Sequence, residues 1–236
     1  MREAASRAGV LLDFDGSLAD IVARPELASP VQGARDAIAA LVRRYRVVAL
    51  ISGRRNEELL AFIDVDGLEH VGLYGMQEAA PDLIDAISGL VDRAVEAVPE
   101  AWVEHKVSSL AVHYRQAPDA AAARAALLPR LMDVAAASGL RVLEGKMVME
   151  VVPASRPLKG GAVERLIGEH ALEAVLFAGD DLADLDAFAA LDRASASIHV
   201  VKVAVRGPET PAQLLDSADV QVEGPAGLVA LLRQLA

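Results

Sequence analysis

The stretch GVLLDFDGSLADI, Gly9 to Ile21, drives an apolar strand straight into two carboxylates, Asp13 and Asp15. Each is costly to bury, and residues two apart on an extended chain face the same side. A positive partner or a chemical task has to justify the placement. The bland alternative is an Asx turn in which Gly16 supplies an unusual backbone conformation. The functional reading is a nucleophilic carboxylate, Asp13, with a second carboxyl group, Asp15, handling protons beside it. An EF-hand loop is excluded, because Arg24 stands where a bidentate Glu is needed.

Similar runs recur along the chain. YRVVALIS (45–52), EHVGLYG (69–75), EAVLFAGD (173–180) and SIHVVKVA (197–204) read as strands without polar alternation, separated by helical patterns at 30–45, 54–63, 157–170, 183–191 and 228–235. Continuous apolar strands alternating with helices predict a parallel sheet covered on both faces. The middle differs. A helix at 81–98, two strands in 101–116 around a turn near Val107–Ser108, a helix at 119–139 broken or bent near Pro129, and a hairpin at 140–153 turning at Glu144–Gly145 give an αββαββ insert. The expected organisation is a doubly wound α/β core, 1–79 and 155–236, interrupted by an α/β cap at 80–154, with prolines near both boundaries.

Composition narrows the function. The chain is 53% hydrophobic, enough for a sizeable core, and its formal charge of −11 argues against general nucleic-acid binding. With no cysteine, disulfides and thiolate metal sites are excluded. No stretch has the length of a membrane span, and MREAASRAGVLL lacks a signal-like apolar run, so a soluble cytoplasmic protein is expected.

In a doubly wound sheet, ligands bind beyond the carboxyl ends of the strands. Asp13 and Asp15, Ser52 of ISGRR (51–55) and Asp180 of GDDLADLDAF (179–188) all lie at such ends. Asp180, Asp181 and Asp184 also suit a helix N-terminus, so capping alone is an alternative. Beside Asp13, however, Asp180 becomes expensive: two carboxylates about 4 Å apart repel by about 4 kcal/mol at an effective dielectric of 20. A hard divalent cation removes that cost, and Mg²⁺ suits a site of oxygen ligands that must also receive phosphate. Ser52 can cap a helix while its hydroxyl holds a phosphate oxygen. Lys159, in PLKGGA (157–162), stands near a helix start, where the macrodipole disfavours a cation; a phosphate clamp fits that placement.

These stretches, in this order, resemble the haloacid-dehalogenase-type phosphatases: D-x-D-G-[ST], a Ser or Thr after the second strand, a Lys, then G-D-D-x-x-D. The resemblance is closer still to trehalose-6-phosphate phosphatases, through LLDFDGSLADIVARPELA, ISGR, VEHKVSSLAVHYR, GKMVMEVVP, KGGAVERL and FAGDDLADLDAF. It spans roughly residues 10–190. The resemblance implies that Asp13 attacks phosphorus, and that Asp15 protonates the leaving sugar oxygen and then activates water. It also implies Mg²⁺ held by Asp13, the carbonyl of Asp15 and Asp180, with Asp181 nearby, and phosphoryl oxygens bound by Ser52 and Lys159. Glu104, Lys106, Arg115, Lys146 and Glu150 match positions of a mobile cap that binds sugar hydroxyls, with Arg54 contributing from the core. Cross-strand ion pairs on a solvated sheet face are the plainer reading of the cap residues.

Several positions depart from the family pattern: Ser17 for Thr, His105 for Asp, Ala183 for Thr, and Tyr74, Gly75 and Gln77 for a His-Gly-Glu-like run. None removes a catalytic group, and the resemblance implies a Mg²⁺-dependent phosphatase that hydrolyses trehalose 6-phosphate to trehalose and phosphate through an aspartyl-phosphate; a monomer with a small sugar-phosphate substrate and no nucleic-acid or membrane partner is expected. Sucrose phosphate and a mannosyl- or glucosyl-phosphoglycerate remain alternative substrates. A non-catalytic sugar-phosphate sensor is a further alternative, whose mark is the loss of Asp13, Asp15 or the metal acids; all are retained.

Overall fold

A computed structural model of the chain describes residues 2–22, 24–75, 81–106, 109–154 and 158–236. They divide into two compact units, Met1–Gly75 with Pro157–Ala236, and Met76–Arg156.

The first unit begins with β1 (Ala8–Leu12), α1 (Ala34–Val42), β2 (Val47–Ile51), α2 (Asn56–Phe62) and β3 (Glu69–Val71). The second unit contributes α3 (Pro81–Val95), β4 (Trp102–Lys106), β5 (Ser109–His113), α4 (Ala120–Ala137), β6 (Leu140–Gly145) and β7 (Val148–Pro153). The chain then returns through α5 (Lys159–Glu169), β8 (Ala174–Gly179), α6 (Leu182–Ala194), β9 (His199–Arg206), α7 (Ala212–Ser217), β10 (Val220–Glu223) and α8 (Gly224–Leu235).

The six strands of the first unit are all parallel, in the order β10-β9-β8-β1-β2-β3. Alternation is present even though no strand looks alternating, because both faces are dry. Val10, Leu12, Val48, Leu50, Leu176 and Ala178 pack with Ile38 and Leu41 of α1 and Leu228 and Leu232 of α8. Leu11, Ala49, Ile51, Val175 and Phe177 face the other way, against Val163 and Leu166 of α5 and Phe188 and Leu191 of α6. Each such Leu stabilises the fold by about 1.5–3 kcal/mol on burial. From β1 the chain winds outward to β3 and, after the insert, resumes at β8 on β1's other side. The strand order therefore reverses between β1 and β8, and a doubly wound sheet places its ligand at that crevice.

The second unit is an antiparallel sheet, β4-β5-β7-β6, with α3 and α4 on one face. Ile87, Val91 and Val95 of α3 and Leu127 and Leu131 of α4 bury Leu110, Val112, Met149 and Val151. The α/β core with an αββαββ insert is thus the observed architecture. No helix among the described residues is long and apolar enough to cross a membrane.

Four details differ from the sequence reading. The hairpin turns at Lys146–Met147, not Glu144–Gly145, because Gly145 still pairs with Val148 and Met147 takes the positive φ of 56°. Helix α4 continues through Pro129, so the interruption that was one of the two expectations there is absent, and the Arg130 guanidinium donates to the Ala126 carbonyl. The strand expected over 69–75 stops at Val71, where Leu73 and Tyr74 turn the chain with positive φ. The edge strand β10 and the six-residue α7 were not expected; β10 reads VQVE and is mostly exposed, so it lacks the apolar run that marked the other core strands. The turn expected near Val107–Ser108 lies outside the described residues.

Candidate active site

β1 ends at Leu12, so Asp13 and Asp15 follow the strand rather than lie on it. The Asp13 N–H donates to the Ala178 carbonyl of β8 at 2.9 Å, which carries the pairing one residue past the strand end. The chain then folds back: the Leu18 and Ala19 N–H groups both donate to the Phe14 carbonyl, at 2.9 and 3.0 Å, and Gly16 takes a φ of 84°. A Cβ on Gly16 would fall inside the Asp180 carboxylate. Gly179 has the same relation to Asp184, and a Cβ on Gly160 would lie 2.6 Å from the Asp186 carbonyl oxygen. The motif glycines are the room the carboxylates and their helix need. Gly16→Ala should therefore cost about 1–2 kcal/mol in backbone strain alone and displace Asp180 as well. Thermal unfolding and divalent-cation titration of that variant check both effects.

Four buried charged groups meet here: Asp13, Asp180, Asp184 and Lys159. Lys159, the first residue of α5, places Nζ 2.6 Å from Asp13 Oδ1 and 2.5 Å from Asp184 Oδ1. Asp184 Oδ2 accepts from the N–H groups of Asp180 and Asp181, at 2.8 and 2.9 Å, so one carboxylate both organises the β8–α6 turn and holds the lysine. The Ser17 hydroxyl donates to Asp180 Oδ1 at 3.2 Å, a role the usual Thr hydroxyl also fits. Asp186 Oδ2 accepts from the Gly160 N–H at 2.6 Å, which ties the start of α5 to α6.

Three carboxylates facing one ammonium leave the site short of positive charge. Burial pushes the Asp13 carboxyl up to about 7 despite the opposing pull of Lys159, and Asp184 adds to the rise. Lys159 goes well above the ordinary lysine value: burial opposes its charge, but Asp13 and Asp184 outweigh it. Oxygen atoms of Asp13, Asp180 and Asp184 all lie within 4.8 Å of one another. A set of hard carboxylate oxygens with excess negative charge fits a divalent cation. Asp184 was not among the expected ligands; its spacing of four from Asp180 was the available signal. Asp181 is the N-cap of α6, and its Oδ1 accepts from the Leu182 N–H at 2.6 Å.

Asp15 is held by a second cation. Arg54 donates through Nε to Asp15 Oδ2 at 2.7 Å and through Nη2 to Oδ1 at 2.6 Å, a bidentate pair. The guanidinium also lies 5.5 and 5.0 Å from the ring centres of Phe14 and Phe62. Expected from the family pattern to touch the sugar, Arg54 here orients the second carboxylate. Ser52 is buried, and its Oγ accepts from the Arg54 N–H at 3.2 Å. The turn of residues 72–75 locks this loop. The Tyr74 N–H donates to the Ser52 carbonyl and the Leu73 N–H to the Arg54 carbonyl, at 3.1 and 2.9 Å. Tyr74, where the family pattern has His, puts its ring centre 5.8 Å from Lys159 Nζ. Gln77 lies outside the described residues.

In the second unit the helix-free face of the sheet carries Glu104, Lys106 and Glu150. Lys106 Nζ sits 3.8 Å from Glu104 and 3.7 Å from Glu150, between the two. The Ser109 hydroxyl donates to Glu150 at 2.6 Å, and His113 Nε2 lies 2.8 Å from Glu104 Oε2. The His113 bond holds the Glu104 carboxyl below its usual range against the opposing effect of burial, with Lys106 adding to the shift. At the β6–β7 hairpin, the Arg115 guanidinium donates to the Lys146 carbonyl at 3.0 Å. His105 points to the helix face, 3.5 Å from Asp92 of α3, so this departure lies on the opposite side from the Glu104–Lys106 pair. His113 and Ser109 were not singled out from the sequence, although both lie within VEHKVSSLAVHYR.

A family model described as Trehalose-phosphatase matches residues 11–220. The chain belongs to the trehalose-phosphatase family. It is 31% identical over 255 residues to a trehalose-phosphate phosphatase of Mycobacterium avium, covering 89% of this chain and 62% of that protein. An uncharacterized glycosyl hydrolase of Mycobacterium tuberculosis is 38% identical over 207 residues, covering 78% of this chain and 15% of its own. The chain thus spans less than two thirds of these curated relatives. The C-terminal domain of trehalose-6-phosphate phosphatase from C. albicans superposes with a TM-score of 0.80 at 25% identity, covering 99% of this chain and 93% of that one. In this member of the trehalose-phosphatase family, Asp13, Asp180, Asp184 and Lys159 form one buried cluster.

Proposed function

We propose that the protein is a Mg²⁺-dependent phosphatase that hydrolyses trehalose 6-phosphate to trehalose and phosphate. The observation that carries this reading is the Lys159-bridged pair of Asp13 and Asp184 beside Asp180, at the crevice between β1 and β8. In the first step an Asp13 carboxylate oxygen attacks phosphorus, the bond from phosphorus to the sugar oxygen breaks, and the Asp15 carboxyl proton passes to that oxygen. In the second, Asp15 as carboxylate takes a proton from water while the water oxygen bonds to phosphorus and the Asp13 carboxylate departs. The bidentate Arg54 pair fixes the direction of the Asp15 carboxyl group. Lys159 and the Ser52 hydroxyl bind phosphoryl oxygens, replacing solvation with fixed positive charge and a donor.

Asp13, Asp180 and the Asp15 carbonyl would hold the cation, with Asp184 and Asp181 next to it. When bound, it supplies positive charge for the phosphoryl group. The sugar is assigned to the insert, where Glu104, Lys106 and Glu150 offer the charged hydrogen-bonding groups that a polyol with little apolar surface demands. Arg115 and Lys146 extend that set. On this reading the protein is a cytoplasmic monomer acting on a small soluble ester.

The test is phosphate release from a panel of sugar phosphates with Mg²⁺. Trehalose 6-phosphate should exceed sucrose phosphate and mannosyl- or glucosyl-phosphoglycerate in kcat/KM by at least about tenfold, roughly 1.4 kcal/mol. Turnover of another ester with none from trehalose 6-phosphate overturns the substrate, and turnover of none overturns the activity.

A further inference from the structure

Trp102 is the only tryptophan of the chain and is 39% exposed. Among the described residues, the other large exposed apolar side chains of the insert, Leu90 and Met132, lie on the helices. Trp102 instead lies on β4, directly opposite His113 of β5 in the strand register. The two rings stack with centres 4.2 Å apart and planes 13° from parallel. His113 is itself fixed by its 2.8 Å contact with Glu104, so the indole is backed by a ring that is pinned from the side. Glu104 and Lys106 follow Trp102 at two-residue intervals and share its face. The strip from Trp102 to Lys106 runs about 13 Å along the strand, room for two six-membered rings.

A pyranose has two chemically distinct surfaces, an edge of hydroxyls and a face of C–H groups. Carboxylates and an ammonium recognise the edge, whereas the C–H face matches the negative face of an aromatic ring. Glu104, Lys106 and Glu150 supply the first kind of group, and Trp102 supplies the second on the same surface. We infer that Trp102, braced by His113, is a specificity-determining residue on which one pyranose ring of the substrate stacks. This rests on the sugar-phosphate reading proposed above.

Because Trp102 is the sole tryptophan, its emission reports on this surface directly. Titrating trehalose 6-phosphate into the Asp13→Asn chain with Mg²⁺ should give a saturable change in tryptophan emission. In otherwise unchanged protein, Trp102→Ala should raise KM for trehalose 6-phosphate about tenfold, with kcat changed by less than about threefold. The ratio of kcat/KM for trehalose 6-phosphate to that for p-nitrophenyl phosphate, which has no sugar ring, should fall about tenfold. Trp102→Phe should restore most of that ratio. An unchanged ratio in Trp102→Ala means a general structural effect and overturns the inference, as does emission that stays flat at saturation. In either case normal wild-type turnover of trehalose 6-phosphate leaves the substrate reading standing. Wild-type protein that cleaves p-nitrophenyl phosphate but not trehalose 6-phosphate overturns both.

Discussion

Asp13→Asn is expected to lower turnover by about 10⁴-fold or more, the scale seen when a nucleophile acting as part of a unit is removed. The side chain keeps its shape, and its amide oxygen can still accept from Lys159, so the loss is chemical. Stability should move the other way. A carboxyl raised above its unfolded value stabilises the fold only at low pH, and that contribution is lost as pH climbs from about 4 toward 7. Burial raises Asp13 in this manner, to about 7. The amide has no such titration, so in metal-free buffer at pH 7 the variant should unfold at a temperature no lower than wild type. Phosphate release and a pair of melting curves at pH 5 and 7 check both halves. Substantial turnover by the variant removes Asp13 from the mechanism.

Lys159→Met is expected to damage stability and activity together. It removes the one ammonium that lies between two buried carboxylates, at 2.6 and 2.5 Å. Breaking a buried pair by deleting one partner costs about 3–5 kcal/mol, because the other charges remain without compensation. For a chain of this size that is a fall in Tm of about 10 °C in metal-free buffer. Saturating Mg²⁺ should recover more of the Tm in this variant than it adds to wild type, since the cation supplies charge the lysine no longer does. Turnover should still fall by about 10²–10³-fold, the scale for one lost electrostatic donor. A fall below about 1 kcal/mol, or equal Mg²⁺ effects on both proteins, contradicts the charge balance described here.

Much of this centre could be read before any coordinates because parallel sheets place chemistry at strand ends. DFDGS, ISGR, KGG and GDD each follow or open an element, and the strand order brings Asp13 and Asp180 to adjacent strands. Pairings made by folding alone were not legible. Nothing local ties Arg54 to Asp15, 39 residues apart, or Lys159 to Asp184, 25 apart. Asp184 also serves the helix start so well that a capping role and a site role give the same sequence pattern. In the insert, strand alternation places His105 on the opposite face from Glu104 and Lys106, against Asp92 of α3. The misplaced hairpin turn has a plain cause: Gly145 was the obvious turn residue, yet Met147 takes the positive φ.

Chemical trapping of Asp13 tests the central claim most directly. Asp15→Asn protein supplied with an aryl phosphate, whose leaving group needs no proton, should accumulate an acyl phosphate because water is no longer activated. Borohydride reduces an acyl phosphate to the alcohol, so peptide mass spectrometry should find homoserine at position 13, dependent on both substrate and Mg²⁺. An unmodified Asp13 in protein that still releases the aryl group, or homoserine at a different carboxylate, contradicts the account.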